Sequence, residues 1–376
     1  MSGPAVTSWS PRIHRDGLGI AAQQVLFGVV PIVVTMALLA FELKVQPIAV
    51  DFRSAYFPAA VRLLRGGSPY AVTHHEILEG YAFVYPALAA VAFGPFALIS
   101  RIAGQLLYTA ICIACVPATL RVLNVRDWRV YGITLLWFPV YTGWLSANLT
   151  LPLMLLTALA WRYRDRPWIA GLVTAAAISL KPFIWPLGLW LLATRRWRAA
   201  GYALVWGLAL NLIAWGLVGV NEIHTYLRVS SKVTDALWRS GYSMLAVAHH
   251  LGFGRGAADV LLLVVAAAVS LAVVYVGFFR RQEREAIVLA ILLMLVASPL
   301  VWSHYFALLL VPLALTRPRL AAVWAAPILI WVCPPKSGVA GWQEALVWIV
   351  ACACLLGLQR TRKTLQPVRL AARARA

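Results

Sequence analysis

Acidic side chains are scarce in this chain. Only 13 of its 376 residues are Asp or Glu, against 33 Lys and Arg, and charged residues of both signs make up 12%. Soluble domains carry about 25%. No polar interruption is long enough to fold as a domain of its own, so a separate soluble domain is not expected. Cysteine is also sparse, at five residues. Cys112 and Cys115 have C-x-x-C spacing, but they lie in an apolar run without His or acidic neighbours. Cys352 and Cys354 sit in the last apolar segment. Neither pair has the company of a metal or redox site, and helix packing is the plainer reading. There is no Asp-x-Asp and no Asp-Asp pair. No metal and no cofactor is therefore expected. No period of 20–50 residues repeats.

What remains is apolar. Hydrophobic residues make up 62% of the chain, and the mean hydropathy is +0.80. Runs long enough for helices fall near 24–43, 81–99, 102–121, 130–145, 148–161, 168–180, 183–194, 199–219, 257–279, 286–299, 302–316, 319–334 and 342–358. A bilayer core takes about 20 apolar residues per helix, and several runs are shorter. The runs 168–180 and 183–194 read as half-helices meeting at Lys181-Pro182. The predicted fold is an all-α integral membrane protein, a polytopic bundle of about 11–13 transmembrane helices with interfacial helices on its outer face. It forms one domain: first span 24–43, outer loop 44–80, helical bundle 81–219, second outer loop 220–256, C-terminal spans 257–358 and a basic tail 359–376.

The net charge of +20 could suggest nucleic acid. Position argues otherwise. Arginines cluster at 121–129, 162–166, 195–198, 280–284, 317–319 and 360–362, each beside an apolar run. That is the positive-inside pattern, and lipid headgroups, not nucleic acid, are the expected partners. Arg12 and Arg15 before the first run predict an uncleaved helix that starts in the cytoplasm. The turns between clusters then face outward: 146–148, 181–182, 220–256, 298–304 and 334–341. One conflict is visible. Two full spans between 81 and 121 would place Arg121, Arg126 and Arg129 outside, so one candidate must be re-entrant or merged.

Sorting the titratable residues sharpens the picture. Asp127, Asp165, Glu283 and Glu285 lie among arginines. Glu42, Asp51, Glu76, Glu79, Glu222, Asp235, Asp259 and Glu344 remain for the outer half, with His74, His75, His224, His249, His250 and His304 and most lysines. Chemistry-bearing groups gather on one side. Asp51 starts a predicted interfacial helix, 52–65, ended by Gly66-Gly67-Ser68-Pro69, and its plain reading is an N-cap. Lys181 costs about 2.5–3.5 kcal/mol at mid-bilayer on insertion scales, and Pro182 and Pro186 break the helix beside it. Its plain reading is a snorkelling turn residue. A buried cation beside broken backbone also suits an anionic ligand such as a phosphate. His304 sits in "SPLVWSHYF", where aromatic neighbours suit either an interfacial belt or a sugar.

Four stretches carry a resemblance. They are "DFRSAYFPAAVRLLRGGSPY" from residue 51, "FVYPAL" from 83, "LSANLTLPLMLL…SLKPFIWPLGLWLLATRRWRAA" from 145 to 200, and "ASPLVWSHYFALLLVPLAL" from 297. In this order they resemble glycosyltransferase family 87, the DUF2029 group of the GT-C class. It includes mycobacterial mannosyl- and arabinofuranosyltransferases that use polyprenyl-phosphate sugars. One departure stands out: Thr150 occupies a position where such proteins often carry a second asparagine.

The resemblance implies a metal-independent integral-membrane glycosyltransferase. It would move a sugar, mannose rather than arabinofuranose, from a polyprenyl-phosphate donor to a glycolipid or glycan acceptor on the extracytoplasmic side of the cell membrane. Asp51 is then expected to be the general base. Arg53, Tyr56, Arg62, Tyr85, Asn148, Lys181, Trp302 and His304 are expected to contact the substrates. Two other readings remain at this point: a transporter or flippase for a lipid-linked solute, and a non-catalytic partner in envelope assembly.

Overall fold

The computed structural model describes residues 19–45, 48–334 and 338–356. All regular structure among them is helical. The basic tail 359–376 and the N-terminal arginines Arg12 and Arg15 lie outside the described residues, as do the lysine at 336 and its flanks.

Helix α1 (Gly19–Lys44) follows the first apolar run. A π turn, Phe52–Tyr56, then leads into α2 (Phe57–Leu64), and the short α3 (His74–Leu78) begins with a Thr73/Glu76 capping box. Next come α4 (Ala87–Leu98), α5 (Arg101–Val122), α6 (Trp128–Leu135) and α7 (Phe138–Leu145). The centre of the chain holds α8 (Thr150–Arg162), α9 (Pro167–Leu180), α10 (Pro182–Ala193) and α11 (Trp197–Val218). The stretch 220–256 folds as α12 (Glu222–Leu237) and α13 (Met244–His250). Helices α14 (Arg255–Phe279), α15 (Glu283–Val296), α16 (Ser303–Thr316), α17 (Ala322–Val332) and α18 (Gly341–Leu356) complete the bundle.

Among the described residues, four helices are long and apolar enough to cross a membrane: α1, α5, α11 and α14. The bent pair α7 and α8 makes a fifth, and six shorter apolar helices of 10–17 residues accompany them. The expected 11–13 spans are approached only when those shorter helices are counted too. The protein is a polytopic all-α membrane protein. The faces of α11 and α14 are almost wholly unburied within the protein, as lipid-facing helices require. Gly171 on α9 lets α11 approach closely: a Cβ there would stand 2.5 Å from the Tyr202 Cβ.

The arginine clusters meet at one end. Arg196 Nη1 donates to Arg164 O (2.6 Å) and to Asp165 Oδ1 (2.8 Å), and its Nη2 donates to Glu283 Oε1 (2.9 Å). This ties together the loops at 162–166, 195–198 and 280–284. Asp127 joins the loops on the neighbouring side. It caps α6 by accepting from the Arg129 N–H, pairs with the Arg129 guanidinium (2.9 Å) and accepts from the Leu320 N–H (2.9 Å). Arg129 also donates to Gln23 at the start of α1 (3.2 Å).

These bonds explain a pH response. The Arg129 guanidinium and the two backbone donors hold the Asp127 carboxyl down at about 2, below the ordinary carboxylate value. Its contribution is full above about pH 4 and is lost as pH falls through about 2. Asp127→Asn removes about 1–2 kcal/mol at pH 7, and thermal melts of the detergent-solubilised protein show that gap narrowing at pH 3.

The conflict over Arg121, Arg126 and Arg129 is resolved by α4. Along it and its entry, Phe93 packs on both Phe52 and Tyr56, Tyr85 on Tyr56 and Phe96 on Phe52, with centroids 4.4–6.1 Å apart. Helix α4 therefore stays beside α2 and does not carry the chain to the other end. Only α5 makes that passage, so residues 121–129 join the other arginine loops.

Candidate active site

At the end opposite the arginine loops, two helix breaks come together. The first is the turn between α7 and α8, which bend by 117°. Ala147 takes a left-handed φ of +48° there and Asn148 stands at its tip. The last carbonyls of a helix lack intrahelical donors. Here Leu145 O accepts from Ala49 N (2.6 Å) and Ser146 O accepts from Asp51 N (3.0 Å). The segment after α1 is thus bonded, backbone to backbone, to the end of α7, and Asp51 is delivered to Asn148.

The second break lies between α9 and α10. A residue before proline is driven from helical to extended backbone. Lys181 obeys, with φ −154° and ψ 108°. Its side chain turns inward and is only 9% exposed. The Lys181 Nζ donates to Asn148 Oδ1 (3.4 Å) and lies over the Tyr305 ring at 4.2 Å, with Phe183 at 5.2 Å and Tyr85 at 5.3 Å. Ring faces attract a cation and replace part of its lost hydration.

Asn148 connects the two. Its Nδ2 donates to Asp51 Oδ2 (2.5 Å) and to the Tyr85 hydroxyl (3.4 Å). Its Oδ1 accepts from Thr150 N (2.9 Å) and Thr150 Oγ1 (2.8 Å) as well as from Lys181. Tyr56 donates its hydroxyl to that of Tyr85 (2.8 Å), and the Leu149 N–H reaches Tyr56 (3.4 Å). Burial, with the negative charge of Asp51 nearby, pushes both phenols above their ordinary range and keeps them protonated. They can donate to a substrate but are poor bases. Asp51 is the carboxylate of this cluster. Its side chain makes no capping bond to the helix it precedes, so the N-cap reading does not describe it.

Asp51, Tyr56, Tyr85, Asn148 and Lys181, singled out from sequence, therefore share one cluster. His304 is buried, with its ring against Tyr305 (5.1 Å), the ring that carries the Lys181 ammonium. Arg53 is half-buried on the π turn just beyond Asp51. Arg62 points along α2 to Glu76 (3.7 Å). Trp302 packs by Gly241, whose backbone carries a φ of +79° beneath the ring. Tyr305 and Phe183 were not singled out. Their adjacency to His304 and Lys181 was the available signal, but which aromatic faces a cation depends on helix rotation, which sequence spacing leaves open.

Comparison with known proteins identifies the family. Residues 83–299 match the family model of Glycosyltransferase family 87. This chain belongs to that family. It is a glycosyltransferase, and the carrier and assembly-partner readings fall away. Similar proteins include a polyprenol-phosphate-mannose-dependent alpha-(1-2)-phosphatidylinositol pentamannoside mannosyltransferase of Mycobacterium tuberculosis. That protein is 24% identical over 337 residues, covering 80% of this chain and 72% of the relative. Its Mycolicibacterium smegmatis counterpart is 25% identical over 312 residues, covering 76% and 69%. A phosphatidylinositol mannoside mannosyltransferase of M. smegmatis is 27% identical over 317 residues, covering 75% and 67%. No solved structure matches the chain.

Proposed function

We propose that this glycosyltransferase moves mannose from a polyprenyl-phosphate donor to a glycolipid acceptor, with Asp51 as general base and Lys181 as counter-ion to the leaving phosphate. One observation carries the reading. A carboxylate and a buried ammonium flank a single amide, Asn148, so an acid-accepting and a charge-stabilising group stand on either side of one small site.

The chemistry needs that polarity. An acceptor hydroxyl attacks the anomeric carbon, its proton passes to the Asp51 carboxylate, and the C–O bond to the phosphate breaks. The departing phosphate takes the bonding pair and gains negative charge. Asn148 holds the carboxylate by donating to it, and the Tyr85 hydroxyl accepts from the same amide. Lys181 offers positive charge fixed in advance by three rings, so little reorganisation is needed as the phosphate departs. The lipid tail of the donor would lie in the bilayer beside the bundle.

Sidedness follows from charge. The site and the arginine loops lie at opposite ends, and arginine-rich loops are retained in the cytoplasm. The site then opens on the extracytoplasmic side, within reach of envelope acceptors. Mannose rests on the mannosyltransferase activities of the relatives; an arabinofuranosyl donor is the competing case.

The test is transfer by the purified protein in detergent. Radiolabelled polyprenyl-phosphate mannose is supplied with phosphatidylinositol mannosides, and polyprenyl-phosphate arabinose is supplied in parallel. A labelled, extended glycolipid with the first donor is expected. Product from arabinose alone would replace mannose as the sugar, and no product from either would remove the donor class.

A further inference from the structure

We propose that Thr150 is a positioning residue that locks the Asn148 side-chain amide in one orientation, with its NH2 group towards Asp51. The inference rests on Asp51 being the base.

The orientation of a buried amide is decided by its partners. Asn148 is 2% exposed, so water cannot substitute for a wrong partner. Around Oδ1 stand the Thr150 N–H and the Lys181 ammonium, which are donors only. The Thr150 hydroxyl adds a third donor at 2.8 Å. On the other side, an ionised Asp51 can only accept. One orientation satisfies every group, and the flipped one sets oxygen against carboxylate and NH2 against two donors. The Asn148-to-Thr150 N–H bond also closes a short side-chain turn at the bend between α7 and α8, so the lock is built into that bend.

The consequence concerns Asp51. An amide N–H favours the ionised carboxylate, which is the form that can accept a proton. Lys181 polarises the same amide through its oxygen, so Asn148 relays positive charge to Asp51. Titratable groups facing Asp51 include Tyr56 from its own segment, Tyr85 before α4, Cys112 on α5 and Tyr305 on α16, with Lys181 on the same amide. Thr150 acts through Asn148 and touches none of the reacting atoms.

Thr150→Val keeps the shape and removes the hydroxyl donor. The expected result is a fall in kcat of roughly 5- to 10-fold, the size of one lost buried hydrogen bond. The acid limb of the rate profile moves to higher pH, because a loosened amide supports the ionised carboxylate less well. Thr150→Ser, which keeps the hydroxyl and loses the methyl, restores the limb. Asp51→Asn is run beside them. If it is inactive while Thr150→Val shifts rate without moving the limb, or Ser fails to restore it, Thr150 is a packing residue and the positioning inference is overturned. If Asp51→Asn turns over normally, the base assignment itself fails. Size-exclusion profiles of each variant separate both results from misfolding.

Discussion

Asp51→Asn is expected to lower the turnover of sugar transfer by on the order of 10²–10⁴-fold and to fold as the wild type does. The substitution changes one atom and removes the charge. What anchors residue 51 is its backbone N–H, bonded to Ser146 O at 3.0 Å, and the side chain takes no part in that bond. The helix that follows does not lose a cap either, since the carboxylate does not provide one. An amide at 51 can still accept from Asn148 through its oxygen, so the local network survives. It cannot take the acceptor's proton. Because proton transfer belongs to the transition state, the loss falls on kcat with KM nearly unchanged. Asp51→Glu keeps the charge but pushes it past the amide donor at 2.5 Å, and should recover only part of the rate. Turnover of Asp51→Asn within threefold of wild type, at matched protein recovery, would remove this residue from the reaction.

Lys181→Met should cost about 10²–10³-fold in kcat. Methionine matches the length of the lysine stem and can fill the space among Tyr85, Phe183 and Tyr305. The charge facing the departing phosphate is lost. Effects on stability work in opposite directions. Contacts between a cation and ring faces are worth about 0.5–2 kcal/mol, while burying the ammonium is costly, so the melting temperature changes little. A catalytic loss with an unchanged melt is therefore the diagnostic pair. Lys181→Arg keeps the charge but needs room for a planar group, and it should retain activity between the two. Full activity in Lys181→Met would assign the lysine to the helix break alone. Donor titration separates binding from chemistry: a phosphate contact made before the transition state raises KM as well.

The two substitutions differ in what they leave behind. Without Asp51 the positive side of the site persists and donor still binds. Under the proposed mechanism, a variant without Lys181 keeps Asp51 as base but faces a leaving group that is harder to expel. In the double variant the losses are not additive, since both act on one transition state through the Asn148 amide.

Composition and local pattern settle a great deal here. A chain with 12% charged residues and apolar runs from end to end must be helical in a bilayer, because only helices and closed barrels satisfy every backbone group there. Pro182 fixes Lys181 in extended backbone whatever surrounds it, so that break was readable. Arginine clusters told which loops share an end. Asp51 and Lys181 could be picked out because charged groups in such a sequence are few and costly. What sequence left open was decided by long-range contact. That α4 stays beside α2 follows from Phe93 and Phe96 packing on Phe52 and Tyr56, and run length says nothing of it. That Asp51 meets Asn148 depends on backbone bonds between residues nearly a hundred positions apart. The aromatic faces around Lys181 come from three separate segments. Local sequence governs where backbone can bend and which side chains tolerate lipid, because those are costs each residue meets alone. Which groups then stand together is set by the closing of the bundle, since only that brings donors, acceptors and rings from distant segments within bonding distance.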